Sequence, residues 1–440
     1  MKKEKITLIG AGLAGPLMAT YLAKRGYSVD IYERRPDMRK ATQSAGRSIN
    51  LALSVRGIHA LKKVGIFDQI KPTIIPMKGR MIHDLNGETH LQPYGQKKDE
   101  MIYSVSRAQL NMDLLTLAEE TGRVKIYFDH KLESADLDKN ELTFGEKIIR
   151  FNIVIGCDGS ASPLRKAIIE KSKADYVKKP LGHGYKELVI PPSKSGEFLL
   201  EPNALHIWPR GEFMLIALPN FDRTFTCTLF FPMIGPTSFV TVKNKNDIED
   251  LFQNYFPDAF ELMPTLVYDF QNNPTGNLAT VYCDPWHGQD KAVLLGDAAH
   301  AVVPFFGQGM NASFQDCTIL SSLIEKNKGN WGKIFEEYSF SHVANGHAIA
   351  DMAIENYIEM RDAVNDLNYQ KRRRLELELE RKFPERFIPR YSMVSFHQIP
   401  YLDVYNRGEI QLKIMNQFLS NEINESELNT IIKDQLQPII

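Results

Sequence analysis

The residues of this chain best suited to chemistry lie in three glycine-rich turns. The first is Gly10-Ala11-Gly12-Leu13-Ala14-Gly15. In a G-x-G-x-x-G turn between a strand and a helix, the first glycine permits the tight turn. The second lets a pyrophosphate approach the backbone, and the third lets helix and strand pack closely. Glu33 closes the following strand, where its carboxylate can accept from both ribose hydroxyls of an AMP half. An acid there repels a 2′-phosphate, so the expected dinucleotide is FAD or NAD rather than NADP.

The second turn is Gly156-Cys157-Asp158-Gly159-Ser160-Ala161-Ser162-Pro163-Leu164-Arg165. The third is Gly296-Asp297-Ala298-Ala299-His300, with Pro304 and Gly307-Gln308-Gly309-Met310-Asn311 downstream. Each follows an apolar run that reads as a buried strand. There is one dinucleotide fingerprint, so a nicotinamide nucleotide is expected to bind only transiently.

Hydrophobic periodicity supplies the elements that must position these turns. Ile6 to Ile9 reads as a strand, Pro16 to Arg25 as a helix stopped by Gly26, and Ser28 to Glu33 as a second strand. This β-α-β unit requires a right-handed crossover and a parallel sheet. Ser54 to Val64 and Ser106 to Thr121 read as helices, and Lys125–Phe128, Asn152–Gly156 and Lys291–Gly296 as strands. From about Gly182 to Tyr282, short apolar or alternating segments broken by Pro and Gly predict a mixed or antiparallel sheet. A helix is expected from about Gly309, and Trp331 to Lys433 is mostly helical. The basic run Lys371-Arg372-Arg373-Arg374 opens a Leu/Glu-rich stretch and reads as a solvated helix face.

Composition bounds the partners. The net charge of -1 argues against a nucleic-acid binder, because phosphate recognition needs a basic surplus. Cys157, Cys227, Cys283 and Cys317 lie far apart with no CxxC pair, which predicts neither a zinc site nor a disulfide framework and points to a reducing compartment. No run of about 18 apolar residues occurs, so no transmembrane helix is expected.

The three turns, in this order, resemble those of the FAD-dependent aromatic hydroxylases. The resemblance implies an α/β fold, with a discontinuous FAD-binding Rossmann-like domain of the glutathione-reductase type over 1–75, 105–180 and 285–380. A mixed or antiparallel sheet domain for substrate is implied at 76–104 and 181–284, with a helical C-terminal region at 381–440. It also implies that Asp297 binds the ribityl chain and that Gly309, Met310 and Asn311 present backbone N–H groups to the isoalloxazine. The remaining implied FAD contacts are Gly10, Gly12, Ala14, Gly15, Glu33, Arg34, Ala52, Arg107, Leu132 and Asp158.

Further segments are similar to the kynurenine 3-monooxygenase family within that superfamily. They are Gly46–Ser54, Lys78–His83, Tyr103–Arg107, Pro304–Asn311, Asn356–Arg361 and Phe387–Tyr391. Family resemblance assigns Arg80, Tyr94, Asn356 and Tyr391 to a substrate clamp. Arg80 suits a carboxylate as a bidentate fork, and the tyrosines can donate phenolic hydrogen bonds. The implied reaction is 3-hydroxylation of L-kynurenine with NADPH and O2 by way of a flavin hydroperoxide. No residue is assigned as acid or base; His83 reads as structural. Eukaryotic members carry an apolar C-terminal anchor, whereas Glu409 to Ile440 is polar here. A cytoplasmic monomer or homodimer without a membrane anchor is therefore expected. A hydroxylase of a hydroxybenzoate- or salicylate-type phenolic acid, and a non-catalytic flavin-binding regulator, remain as alternatives.

Overall fold

The computed structural model describes residues 4–40, 50–173, 175–360 and 367–439. Residues Gly46 to Ile49 and Arg361, which carry parts of two family-like segments, lie outside the described residues.

The β-α-β unit comprises Lys5–Ile9, Ala14–Lys24 and Ser28–Tyr32. The helix starts two residues before Pro16, whose missing N–H costs nothing in a first turn. It ends on Gly26 at φ +86, where Gly26 N–H donates to Ala23 O at 2.8 Å and Tyr27 N–H to Leu22 O at 3.1 Å. Both are bonds of a Schellman cap. Lys5–Ile9 pairs in parallel with Ser28–Tyr32 on one side and Ile153–Gly156 on the other. Val124–Tyr127 and Ala292–Leu294 extend the parallel sheet, and His287–Gly288 adds an antiparallel edge. Ile6, Leu8, Val154, Ile155 and Val293 are fully buried, as strands covered on both faces must be.

A second sheet of seven strands runs in the order Gly276–Asp284, Asp175–Ile190, Phe225–Pro232, Phe213–Pro219, Leu205–Arg210, Gly79–His83 and Thr89–Pro93. Leu205–Arg210 and Gly79–His83 pair in parallel and the other neighbours antiparallel, so the sheet is mixed. Asp175–Ile190 carries it continuously across residue 181, with a register shift between Pro180 and Gly184.

The span from 182 to 282 is not sheet throughout, because it holds the helices Lys245–Tyr255, Pro257–Phe260 and Leu266–Asn272. They cover the sheet face that carries Trp208, Leu215 and Phe231. An apolar sheet face has to be buried, and Ile248, Leu251 and Phe252 recur at helical spacing to do it. The opposite face, with Ile82, Ile207, Met214 and Phe230, packs on Phe305, Phe306 and the long helix Trp331–Ile358.

The C-terminal helices Leu367–Lys382, Tyr401–Leu419 and Glu425–Gln435 share a smaller core around Leu379, Phe387, Ile414 and Ile432, while Arg390–Phe396 buries Met393 and Val394 in the cluster with Ile82, Ile207 and Phe230. Among the described residues, no helix is long and apolar enough to cross a membrane.

Candidate functional site

The glycines of the first turn have unequal surroundings. Gly10 sits at φ +97, and a Cβ there would lie 2.3 Å from Cys157 O; a Cβ on Gly15 would lie 2.0 Å from Gly10 O. The protein itself forbids side chains at both. A Cβ on Gly12 would meet nothing within 4 Å, so this position is bare on a side that the protein leaves open. Glu33 is buried where the second strand ends beside this turn. One oxygen accepts Ala11 N–H at 2.7 Å, and the other accepts Arg35 N–H at 3.0 Å and Nε–H at 2.8 Å. Burial works against its charge, but Arg35 and the two backbone donors outweigh it and hold the carboxyl below its usual range. Arg34 is exposed beside it. Leu132 lies in the parallel-sheet core two residues past His130, whose N–H donates to Glu33 O at 2.8 Å.

The second and third turns are stitched together. Arg165 donates through Nη1 to Ala298 O at 2.8 Å and through Nη2 to Ser160 O at 2.6 Å. Asp158 Oδ2 accepts Leu164 N–H at 3.3 Å, while its buried Oδ1 has no partner. Burial pushes this carboxyl up to about 6. Gly296 adopts φ +62, and its N–H donates to Asp316 Oδ2 at 3.0 Å. The same oxygen lies 2.6 Å from His300 Nε2. Asp297 is accessible yet deeply surrounded by protein atoms, as a cleft residue is. That surrounding raises its carboxyl, while Arg107 and His300 pull it down.

Gly309, Met310 and Asn311 open the helix Gly309–Lys326, and its N-cap residue Gln308 gives no side-chain cap. The first N–H groups of a helix lack intrahelical acceptors and lie at the positive end of the helix dipole. The Asn311 side chain is committed to the protein. It donates to Ala52 O and Gly307 O, both at 2.8 Å, and accepts Ser54 N–H at 2.9 Å. Only its backbone N–H remains for a ligand, and Ala52 is tied to the helix start through it.

One contributor has no counterpart among the expected residues. Asn111, one turn after Arg107, donates through Nδ2 to Ala11 O and Gly12 O, each at 3.1 Å. A buried asparagine among Leu110, Leu114 and Leu115 must find partners; that pattern was its sequence signal.

The four residues expected to form a clamp come together around a cavity of about 400 Å³, which Phe306 and Glu359 also line. Arg80 lies on Gly79–His83 and is buried, its guanidinium carbon 4.8 Å from the Tyr391 ring centroid and 5.8 Å from that of Tyr94. Phe306 stacks on Tyr391 at 5.5 Å. Arg80 Nε and the Tyr94 hydroxyl are buried without a hydrogen-bond partner of good geometry. Asn356 Nδ2 donates to Phe305 O at 2.7 Å, so its side-chain oxygen is what it can offer a ligand. Glu359 accepts from the Tyr369 hydroxyl at 3.0 Å.

The basic run departs from the solvated face expected of it. Lys371 and Arg374 are exposed, but Arg372 and Arg373 line the cavity. Arg373 pairs with Glu376 and donates to Tyr94 O at 3.2 Å.

His83, three residues along the strand from Arg80, faces the other side of the sheet. It stacks on Trp208 at 4.0 Å, with Nδ1 2.7 Å from Asp258 Oδ2 and Nε2 2.8 Å from His206 Nδ1. His206 Nε2 lies 2.9 Å from Glu201 O. A carbonyl only accepts, so this nitrogen carries the proton and His206 Nδ1 accepts from His83. The histidines form a structural strut. All four cysteines are free, three of them buried.

Three comparisons bear on this geometry. The family model described as FAD binding domain matches residues 3–333. The chain is 43% identical to kynurenine 3-monooxygenase of Myxococcus xanthus, covering 100% of this chain and 97% of that protein. It is 41% identical to kynurenine 3-monooxygenase of Dictyostelium discoideum, covering 98% and 97%. A solved structure of 2-methyl-3-hydroxypyridine-5-carboxylic acid oxygenase superposes with a TM-score of 0.68 at 18% identity, over 83% of this chain and 94% of that one. For tetracycline destructase Tet(51) the TM-score is 0.63 at 19% identity, over 87% and 97%. Both structural likenesses speak for the fold.

Proposed function

The chain belongs to the kynurenine 3-monooxygenase family, and we propose that it hydroxylates L-kynurenine to 3-hydroxykynurenine with NADPH and O2, with Arg80, Tyr94, Asn356 and Tyr391 as its substrate clamp. The observation that carries this reading is the buried Arg80 at the wall of the cavity, whose Nε has no partner and whose guanidinium sits beside the Tyr94 and Tyr391 hydroxyls. A buried polar group without a partner costs roughly 1–3 kcal/mol, so Arg80 Nε is preformed to receive an acceptor, with the two hydroxyls beside it. An amino-acid carboxylate is such an acceptor. The side-chain oxygen of Asn356 suits the ammonium group beside it.

The residues fit FAD. The bare, open position at Gly12, the carboxylate of Glu33, and the unpartnered Asp158 Oδ1 are what a dinucleotide would use. Asp297 and Arg107 would flank its ribityl chain, with Ala14, Arg34, Ala52 and Leu132 completing the contacts. When bound, FAD supplies the redox chemistry that takes hydride from NADPH and activates O2. The backbone N–H groups of Gly309, Met310 and Asn311 would stabilise negative charge on its reduced ring.

Phe306 is in the cavity wall and lies three residues before Gly309, so the substrate cavity abuts the helix start assigned to the flavin. The aromatic wall of Phe306, Tyr391 and Tyr94 excludes water from the reacting ring, which protects the oxygen transfer. No residue is assigned as acid or base; the anilino nitrogen donates electron density to the ring carbon ortho to it. NADPH visits transiently, and the protein works as a monomer or homodimer in the cytoplasm, where its four free cysteines stay reduced.

The test is product analysis with purified yellow protein, NADPH and L-kynurenine. Formation of 3-hydroxykynurenine with substrate-stimulated NADPH oxidation is expected. Stimulation by hydroxybenzoate or salicylate but not by L-kynurenine would overturn the assignment.

A further inference from the structure

Arg56 is 1% exposed, and among the described residues no carboxylate hydrogen-bonds to it. Its guanidinium instead holds three neutral oxygens. Nε–H donates to Val394 O at 3.1 Å, Nη2–H to Ile399 O at 2.5 Å, and Nη1–H to Gln315 Oε1 at 3.0 Å. Its fourth neighbour is the ring of Tyr401, 4.0 Å from the guanidinium carbon. Keeping an unpaired cation out of water is costly unless every donor is met, so this arrangement is demanding and specific.

The partners belong to two separate parts of the chain. Val394 is in Arg390–Phe396, the short helix that carries Tyr391, and Ile399 follows it. The carbonyl of Val394 is among the last four of that helix, which have no partner within it. A cation there also complements the helix dipole. Gln315 is on Gly309–Lys326, the helix whose first turn is assigned to the flavin. Tyr401 adds a second tie, its hydroxyl donating to Gln308 Oε1 at 3.0 Å, one residue before that first turn. Arg56 itself opens Val55–Lys63 between Ser54, bonded to Asn311, and Gly57, where a Cβ would lie 2.6 Å from Asn311 Oδ1.

We propose that Arg56 is a positioning residue that locks the segment 391–401 onto the flavin-facing helix, so that Tyr391 and the helix start hold a fixed relation across the substrate cavity. The segment cannot lift away without stripping the guanidinium of two of its three acceptors and of the tyrosine face. The roof of the cavity therefore stays in place until water can reach Arg56. Arg56 touches neither cavity nor cofactor site; it acts through Tyr391 and Gln308.

The test uses Arg56→Met, which keeps the bulk and removes the donors, with Arg56→Lys as the conservative variant. Hydrogen exchange is followed at the amides of 391–401 in FAD-loaded protein without substrate, and L-kynurenine affinity is read from the change in flavin absorbance. In Arg56→Met the segment is expected to exchange faster, and the dissociation constant to rise about tenfold or more, for loss of charge-assisted bonds. FAD content should stay unchanged, and Arg56→Lys should recover part of both effects. Should Arg56→Met fail to accumulate, Tyr401→Phe and Gln315→Leu each remove one tie, and smaller shifts in the same direction are expected. A fall in melting temperature with unchanged exchange and affinity, in Arg56→Met or in both single-tie variants, would overturn the proposal. The affinity arm rests on the L-kynurenine reading of the cavity and the exchange arm does not. If L-kynurenine fails to bind the unmodified protein, that reading falls and the exchange result still decides the role of Arg56.

Discussion

The rings of Tyr94 and Tyr391 lie parallel, 5.1 Å between centroids and 9° between planes, although they come from opposite ends of the chain. Arg80 lies against this pair. The stack fixes both hydroxyls at one wall of the cavity and keeps the guanidinium beside them. Arg80→Ala is expected to weaken L-kynurenine binding by about 10- to 100-fold, for loss of a charge-assisted contact, with FAD content intact. Titration of flavin absorbance with substrate checks it. Loss of flavin instead would remove Arg80 from the clamp. Tyr391→Phe keeps the stack and should cost only about fivefold, for one neutral hydrogen bond.

Gly12 and Gly15 separate ligand space from protein space. Gly12→Ala should leave the FAD-free protein within about 0.5 kcal/mol of its stability, as an unobstructed surface substitution does. FAD affinity should fall about tenfold or more, because the new methyl occupies the place where a pyrophosphate approaches the backbone. Gly15→Ala should damage the fold itself, since its Cβ would lie 2.0 Å from Gly10 O. Thermal melts of the stripped proteins and FAD titration distinguish the two; equal FAD affinity in Gly12→Ala and the unmodified protein would contradict the assignment.

Glu33 serves the turn and is also assigned to the cofactor. Glu33→Ala leaves Ala11 N–H without its acceptor and removes the carboxylate proposed to hold the ribose, so FAD retention through gel filtration should drop. The expected loss is about 1.5–3 kcal/mol, the scale of a hydrogen bond to a charged group. Unchanged retention would mean that Glu33 serves only Ala11 and Arg35.

His206 makes acid stability titratable. Burial, with His83 adding to it and Glu201 O opposing, pushes the imidazole down to about 4 from 6.5. Its folded pKa is depressed, so between about 4 and 6.5 the unfolded chain binds the proton and the folded protein does not. Stability from this residue is therefore complete above pH 6.5 and is lost as pH falls towards 4, by about 3 kcal/mol in all. Melting temperature measured from pH 7 to pH 4 should fall more steeply in the unmodified protein than in His206→Gln. Parallel curves would show that another group carries the acid transition.

Much of the cofactor half was legible in the sequence because its signals are local. A glycine at φ +97, a strand of continuous apolar residues and a carboxylate at the next strand end all follow from short-range sterics and spacing, so Gly10 to Glu33 reads directly as a turn between two strands. The Gly296–Asp297 turn was legible for the same reason. Asn311 was only half legible: its place at the helix start followed from the motif, but its bonds to Ala52 and Ser54 needed the fold.

What the tertiary structure decided is the grouping of the residues proposed for the substrate. Arg80, Tyr94, Asn356 and Tyr391 sit on separate elements with no shared period, and family likeness alone had grouped them. The chain brings them together because one face of the mixed sheet must bury Ile82, Ile207 and Phe230 against Phe305, Phe306 and the helix Trp331–Ile358. The same long-range burial turned Arg372 and Arg373 inward from a run that composition marks as solvated, and it set helices Lys245–Asn272 over the other face. By itself the sequence determined a dinucleotide turn, because backbone sterics act over a few residues. Only the folded chain decided which side chains share a cavity, because that depends on which apolar faces meet.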